Sequence, residues 1–386
     1  MSFRLLFIPK FKSALLNSVK GGYISRVNKY YSILSEMKVK IYHLSYGNEI
    51  ERRYTKLIDV RQIIPVGKYV SSKYRRLEQI KSFFLPIILR NVINNIDIVK
   101  THQLHGSWVG ALIKLLYRKK LVIRGGYEWL KFHVFQHKYS KREKSIRYWL
   151  KYLWIYIVEF FSYKLADLII LTNKMDIKYI IETYNLKKEI NKIHLNYNWI
   201  NTGSFKPLDT KKKKKHVLFI GKLSSQKNLR NLIKAFKELN DFSLHIIGDG
   251  GLKKDLKDLA EKCNCNVKFL GIFPNNELPN IINTYEIFIL PSFYEGNPKV
   301  LLEAMSCGMP CIGSDVWGIN NIIKHKENGY LCDTDPKSIR KAIIEVHNDE
   351  VLKERIGKNA RKFILNNCSA RINIRKEFAL YQSLLE

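Results

Sequence analysis

Two glutamates and two lysines are the residues of this chain whose spacing suits the handling of an anionic, hydroxyl-rich ligand. Glu295 and Glu303 lie in the segment Pro291-Ser-Phe-Tyr-Glu-Gly-Asn-Pro-Lys-Val-Leu-Leu-Glu-Ala-Met-Ser-Cys-Gly308. An apolar strand is expected to end at Pro291, a turn to form at Glu295-Gly296, and a helix to follow. Pro298 suits the first helical position, where its missing N–H leaves nothing unbonded. The amides of Asn297, Lys299 and Val300, with the helix dipole behind them, then form an anion site that fits a pyrophosphate. Glu303 stands about 7.5 Å of helix rise beyond Pro298, at about 1.5 Å per residue. One carboxylate can therefore sit beside a sugar and the other beside a ribose, with phosphates between. Carboxylates only accept hydrogen bonds and so suit paired hydroxyls.

The lysines fall in His216-Val-Leu-Phe-Ile-Gly-Lys-Leu-Ser-Ser-Gln-Lys-Asn-Leu229, which reads as strand, glycine turn and helix. Lys222 and Lys227 can both reach toward the carboxyl end of that strand. Together the two segments resemble glycosyltransferase family 4, the glycosyl transferases group 1, of retaining enzymes with the GT-B fold. Glu295 and Glu303 form that family's E-x7-E pattern. The resemblance implies that Glu295 contacts the transferred sugar and that Glu303 binds the ribose. It also implies that Lys222 and Lys227 neutralise the donor diphosphate and stabilise the leaving nucleotide. Lys222 stands where the family usually has Arg, which keeps the charge but loses the bidentate fork. Asn198 to Pro207 resembles the family's interdomain connection, with Trp199 in place of Gly. Ile246-Ile-Gly-Asp-Gly-Gly251 resembles its strand-end glycine turn, and Gly271-Ile-Phe-Pro274 falls where the family cups the base.

Other candidates are less explicit. Gly21 and Gly22 follow the first expected strand and fit a loop under the donor phosphates; an ordinary loop is the alternative. His102 ends a strand, at the place where some family members set a histidine near the reacting sugar, so it joins Glu295 as a candidate catalytic residue. Arg124, also at a strand end, suits a phosphate of donor or acceptor, with a structural salt bridge as its competitor. Asp333-Thr334-Asp335 has the form of a metal-binding D-x-D but lies in a turn before a late helix. No metal and no cofactor are expected, the nucleotide sugar being a substrate.

The elements around these residues alternate as strand and helix. Strands are expected at Arg4–Ile8, Lys38–Leu44, Ile96–Lys100, Lys120–Arg124 and Leu168–Thr172. A second series follows the lysine run 211–215: strands at His216–Gly221, Ser243–Gly248, Asn266–Leu270, Ile287–Pro291 and Cys311–Ser314. The fold class is thus α/β. Two Rossmann-like, doubly wound domains are expected, an acceptor-side domain over 1–205 and a nucleotide-sugar domain over 206–386. The last helix is expected to pack back on the first, and ligands to bind at the carboxyl ends of the sheets in an interdomain cleft.

Residues 1–200 hold 37 basic and 13 acidic side chains, a net of +24 within a total of +33. Such a field favours an anionic membrane or a phosphorylated lipid. Nucleic acid is not expected, since no nucleic-acid motif accompanies the charge. Tyr148 to Phe161 is aromatic and apolar but short for a span and broken by Lys151 and Glu159, so a buried or interfacial helix is expected. The six cysteines match no common zinc spacing, and no secretory signal is visible. They are expected to be reduced, in a cytoplasmic protein with peripheral contact at the inner membrane face.

The expected function is transfer of a sugar from a UDP- or GDP-linked donor to a glycan acceptor on a lipid carrier. That places the chain in cell-surface polysaccharide synthesis, such as O-antigen, lipopolysaccharide or capsule. The alternatives are a noncatalytic nucleotide-sugar-binding homologue, or a sugar synthase or phosphorylase with a soluble acceptor.

Overall fold

Runs such as Phe3–Ile8 and Tyr285–Leu290 are apolar on both faces, the pattern of strands covered by helices on either side. The computed structural model describes residues 2–15, 23–140 and 143–386, so Gly21 and Gly22 lie outside the described residues. Among the described residues, the strands form two sheets. The first comprises β1 (Phe3–Ile8), β2 (Val39–Ser45), β3 (Gln62–Pro65), β4 (Ile98–Thr101), β5 (Lys120–Arg124), β6 (Leu168–Leu171) and β7 (Ile193–Leu195). The second comprises β8 (Lys213–Ile220), β9 (Ser243–Ile247), β10 (Val267–Gly271), β11 (Tyr285–Leu290), β12 (Cys311–Ser314) and β13 (Tyr330–Cys332).

Their orders are β3-β2-β1-β4-β5-β6-β7 and β10-β9-β8-β11-β12-β13, with every pair parallel. Both follow the Rossmann order, in which the chain works outward one way from the first strand and then the other way from the fourth. Two α/β units result. Each has its own core, one around Leu6, Val99, Leu121 and Ile169, the other around Leu218, Ile246, Phe288 and Ile312.

The first unit gathers Met1–Val134, Glu143–Asn196 and Ile374–Glu386, and the second gathers Phe135–Arg142 and Tyr197–Asn373. The chain leaves the first unit after Asn196, ahead of the 205/206 boundary expected from sequence. Asn196 N still bonds Leu171 O at 2.8 Å, whereas Ile200 already pairs with the backbone of Cys368 and Ala370.

Ile374–Glu386 joins the first unit through a buried charge. Glu377 accepts from Lys100 Nζ and the Tyr381 hydroxyl, from Tyr30 at 2.9 Å and from Arg124 Nη1 at 3.2 Å. Arg124 therefore takes the salt-bridge role and not the exposed position a phosphate ligand needs: it is buried at the end of β5 against Glu377. Burial alone would raise the Glu377 carboxyl, but the Lys100 and Arg124 charges beside it hold it down at about 2. Burial draws Lys100 down to about 8.

Removing one partner leaves uncompensated buried charge, so Glu377→Gln should lower unfolding free energy by about 3–5 kcal/mol in denaturant titrations near neutral pH. Because the folded carboxyl titrates below its ordinary 4.5, its stabilisation is complete above that value and is lost as pH falls toward about 2. The variant should lack this part of the acid dependence; parallel curves for both proteins through that window would contradict the assignment.

Candidate functional site

In the second sheet, β8 and β11 are neighbours, but their connections run to opposite sides, toward β9 and β12. The loops leaving their carboxyl ends therefore diverge and leave a crevice, the place where open α/β sheets bind ligands. After β8 the chain passes Gly221, Lys222 and Leu223, makes a short turn over Ser225–Lys227, and enters the helix Leu229–Ala235 through Asn228. Asn228 is left-handed (φ 54°, ψ 32°), and its amide donates to Pro291 O at 3.0 Å and Thr334 O at 2.7 Å. Phe293 N bonds Gln226 O at 2.9 Å. The two loops are thus joined to each other by backbone as well as side chains.

This joining brings together the residues singled out from sequence. Lys227 Nζ meets Glu295 Oε1 at 2.5 Å, and Ser292 donates to the same oxygen at 2.6 Å. Gln226 Nε2 reaches Glu295 Oε2 at 3.4 Å and Tyr294 O at 2.9 Å. Glu295 is buried. Its carboxylate cannot swing between rotamers without giving up these partners, so its free oxygen edge is aimed in advance. Lys222 is exposed at the start of the loop after β8.

The helix Lys299–Ser306 follows, and Glu303 is buried in its second turn with Asn275 Nδ2 3.3 Å from Oε1. Asn275 comes just after β10, so the β10 loop and this helix meet at Glu303. Pro298 differs from expectation. It caps the helix in an extended conformation (φ −71°, ψ 108°) and is not its first residue. The preceding Glu295–Asn297 turn holds it there, with Asn198 Nδ2 donating to Asn297 O at 2.8 Å. The amides of Lys299 and Val300 remain the first two of the helix, where no intrahelical acceptor exists. Trp199, the departure from the family's Gly, lies 5.9 Å under the Lys299 ammonium.

Two glycines make these approaches possible. Gly248, after β9, has φ +143°, and a Cβ there would lie 1.9 Å from Gly221 O. Its backbone bonds Gly271 O at 2.7 Å, while Gly221 N bonds Ile247 O at 2.9 Å, so the loops after β8, β9 and β10 stack at backbone distance. Gly318 has φ +88°, and a Cβ would lie 2.3 Å from Glu295 O and 2.4 Å from Gly296 O. Trp317 O accepts from Glu295 N at 2.9 Å, so this loop seats the Glu295 turn.

Among the residues of the first unit, His102 follows β4 beside β1, at the equivalent divergence of strands. Its N–H bonds Ile8 O at 2.9 Å and its ring lies 5.4 Å from that of Phe7. Asp335, of the D-x-D sequence, caps the helix Pro336–Asn348 by accepting from Lys337 N and Ser338 N. Ser292 and Gln226 lie within the two segments but hold no motif position, and Asn275 and Gly318 lie outside them; their part becomes visible only when the loops are assembled.

The segment 202–363, which holds Lys222, Lys227, Glu295 and Glu303, matches the family model of glycosyl transferases group 1. Over this segment the chain belongs to the glycosyl transferases group 1, and its fold is GT-B. It is similar to the UDP-Gal:alpha-D-GlcNAc-diphosphoundecaprenol alpha-1,3-galactosyltransferase of Escherichia coli, at 28% identity over 75% of this chain and 80% of that protein. Its fold is similar to that of sucrose-phosphate synthase from Thermosynechococcus elongatus, with TM-score 0.78 at 16% identity over 100% of this chain and 99% of that one. It is also similar to Anabaena Alr3699/HepE in complex with UDP and glucose, with TM-score 0.76 at 15% identity over 99% of each chain. Such identities speak for the fold of this glycosyltransferase alone.

Gly318→Ala should displace the Glu295 turn. In a folded protein it should cost about 1–3 kcal/mol of stability. Sugar transfer should fall more steeply than the thermal midpoint implies. Full activity in this variant would show that the Glu295 turn need not be held where it is.

Proposed function

We propose that this glycosyltransferase moves a hexose or related sugar, with retention at the anomeric carbon, from a UDP- or GDP-linked donor to a lipid-linked oligosaccharide. The reaction would serve cell-surface polysaccharide synthesis at an anionic membrane. The observation that carries the reading is the Lys227–Glu295 pair, fixed by Ser292 and Gln226 directly before the Lys299–Ser306 helix. The diphosphate would lie between the Lys222 and Lys227 ammonium groups and the Lys299 and Val300 amides, near Gly296, Asn297 and Pro298. A donor phosphate would then share Lys227 with Glu295, which couples phosphate binding to the position of the carboxylate that holds the sugar. As the glycosidic bond breaks, negative charge grows on the leaving diphosphate, where these cations and amides stabilise it most. Glu303 would hold the ribose. His102 stands as the first unit's candidate beside the reacting sugar. Retention follows from the family 4 resemblance. The lipid-linked acceptor is supported by the diphosphoundecaprenol in the name of the E. coli relative and by the net +24 of residues 1–200. No metal is assigned a part in the reaction.

The test is nucleotide release from a panel of sugar nucleotides, with and without lipid-linked acceptors. One donor should be consumed in an acceptor-dependent way, and Glu295→Ala and Lys227→Ala should each reduce turnover by about 10²-fold or more. Chelation should leave the rate unchanged. Undiminished turnover in Glu295→Ala would remove this site from the reaction. Donor binding without turnover on any acceptor would favour the noncatalytic alternative.

A further inference from the structure

The helix Ile146–Leu165 has two apolar faces. The inward one packs Ile155, Val158 and Tyr163 into the core and also carries polar groups: Glu159 is buried and accepts from Trp129 N at 2.6 Å, Leu130 N at 3.2 Å and the Tyr184 hydroxyl. Ser162 on the same side bonds Ser107 at 2.6 Å. Its outward face is apolar: Ile146, Trp149, Leu150, Leu153, Ile157 and Phe161 are exposed, Ile146 at 77% and Leu150 at 63%. At about 100° per residue these six fall within an arc of about 120°, and they run along about 22 Å of helix. Scattered surface leucines need no explanation, but a continuous stripe of this size does.

The stripe continues onto neighbouring elements of the first unit. Trp154, on the flank of the helix, lies 6.0 Å from Phe83, and the next residue, Phe84, is exposed together with Ile87 and Ile88. Basic side chains border it. Arg147 and Lys151 are exposed along one edge of the arc, and Lys144 sits over the Tyr148 and Trp149 rings at 5.8 and 5.7 Å. Among the described residues, no helix is long and apolar enough to cross a membrane.

We infer that this face is where the protein docks on an anionic bilayer. The helix would lie in the interface plane, Trp149 and Leu153 entering the acyl boundary and Arg147, Lys151 and Lys144 meeting lipid phosphates. The inference deepens the membrane contact of the preceding reading by naming the surface. Charge decides the occupant: an apolar stripe rimmed by cations, in a half-chain of net +24, complements acidic headgroups. A second copy of so basic a surface would repel it.

The full-length protein should float with vesicles of phosphatidylcholine and phosphatidylglycerol, and raising salt should release part of it. Trp149→Glu with Leu153→Glu should weaken that binding by about tenfold or more, while Arg147→Glu with Lys151→Glu should abolish the preference for phosphatidylglycerol. Both are surface changes, so thermal midpoints should stay near that of the unaltered protein. Equal vesicle binding by the Trp149/Leu153 variant overturns the assignment. So does self-association, seen in sedimentation and removed by that variant, in a protein that leaves vesicles untouched. Nucleotide release, lost in Glu295→Ala, is read on the same preparations. Turnover without vesicle binding sinks this inference alone, and vesicle binding without turnover on any donor sinks the transferase reading alone.

Discussion

Parallel strands cannot be joined by tight turns, and that constraint shapes both units. Each strand must be followed by a crossover, and neighbours whose crossovers leave on opposite sides open a gap at their carboxyl ends. In the second sheet the gap lies between β8 and β11, and the Lys227 and Glu295 loops flank it. Residues 68 apart in sequence meet there because the sheet order sets their strands side by side. The glycines at 248 and 318 serve the same gap. They let neighbouring loops approach at backbone distance.

Much of the second unit was legible in its sequence, since its long β-branched and aromatic runs are bounded by glycine and proline. Expected and observed ranges for β12 coincide, and those for β9 and β10 differ by a residue at their ends. The strands that sequence did not reveal are β3, β7 and β13, all at sheet edges. Gln62–Pro65 ends in proline, and the other two are three residues long. Short edge strands owe their conformation to the neighbour they pair with, which no local pattern encodes. The helix after the Lys227 turn is short, Leu229–Ala235, because the chain tightens into a 3₁₀ turn at Phe236–Glu238.

The candidate site was legible where charge and backbone signals coincide, as at Glu295, Gly296 and Glu303. It was illegible where a side chain acts from another loop. Arg124 shows the difference in the first unit. A strand-end arginine suits a phosphate, but a glutamate 253 residues later claims it. The buried carboxylates tell the same story. Glu128 and Glu159 lie beneath the β5 and β6 ends, where burial pushes them up to about 8 and about 7, and each is satisfied by tyrosine hydroxyls and backbone amides. Nothing in the local sequence around Glu159 marks it as the anchor of the Trp129–Ser140 helix start.

The ion cluster at Glu377 has a consequence for how the protein is made. Lys100 and Arg124 emerge from the ribosome long before their counter-ion does. The nascent first unit therefore carries two cations at positions destined for burial, and they stay hydrated until the last helix arrives. Its native packing therefore waits for the helix that carries Glu377, however early the strands themselves are made.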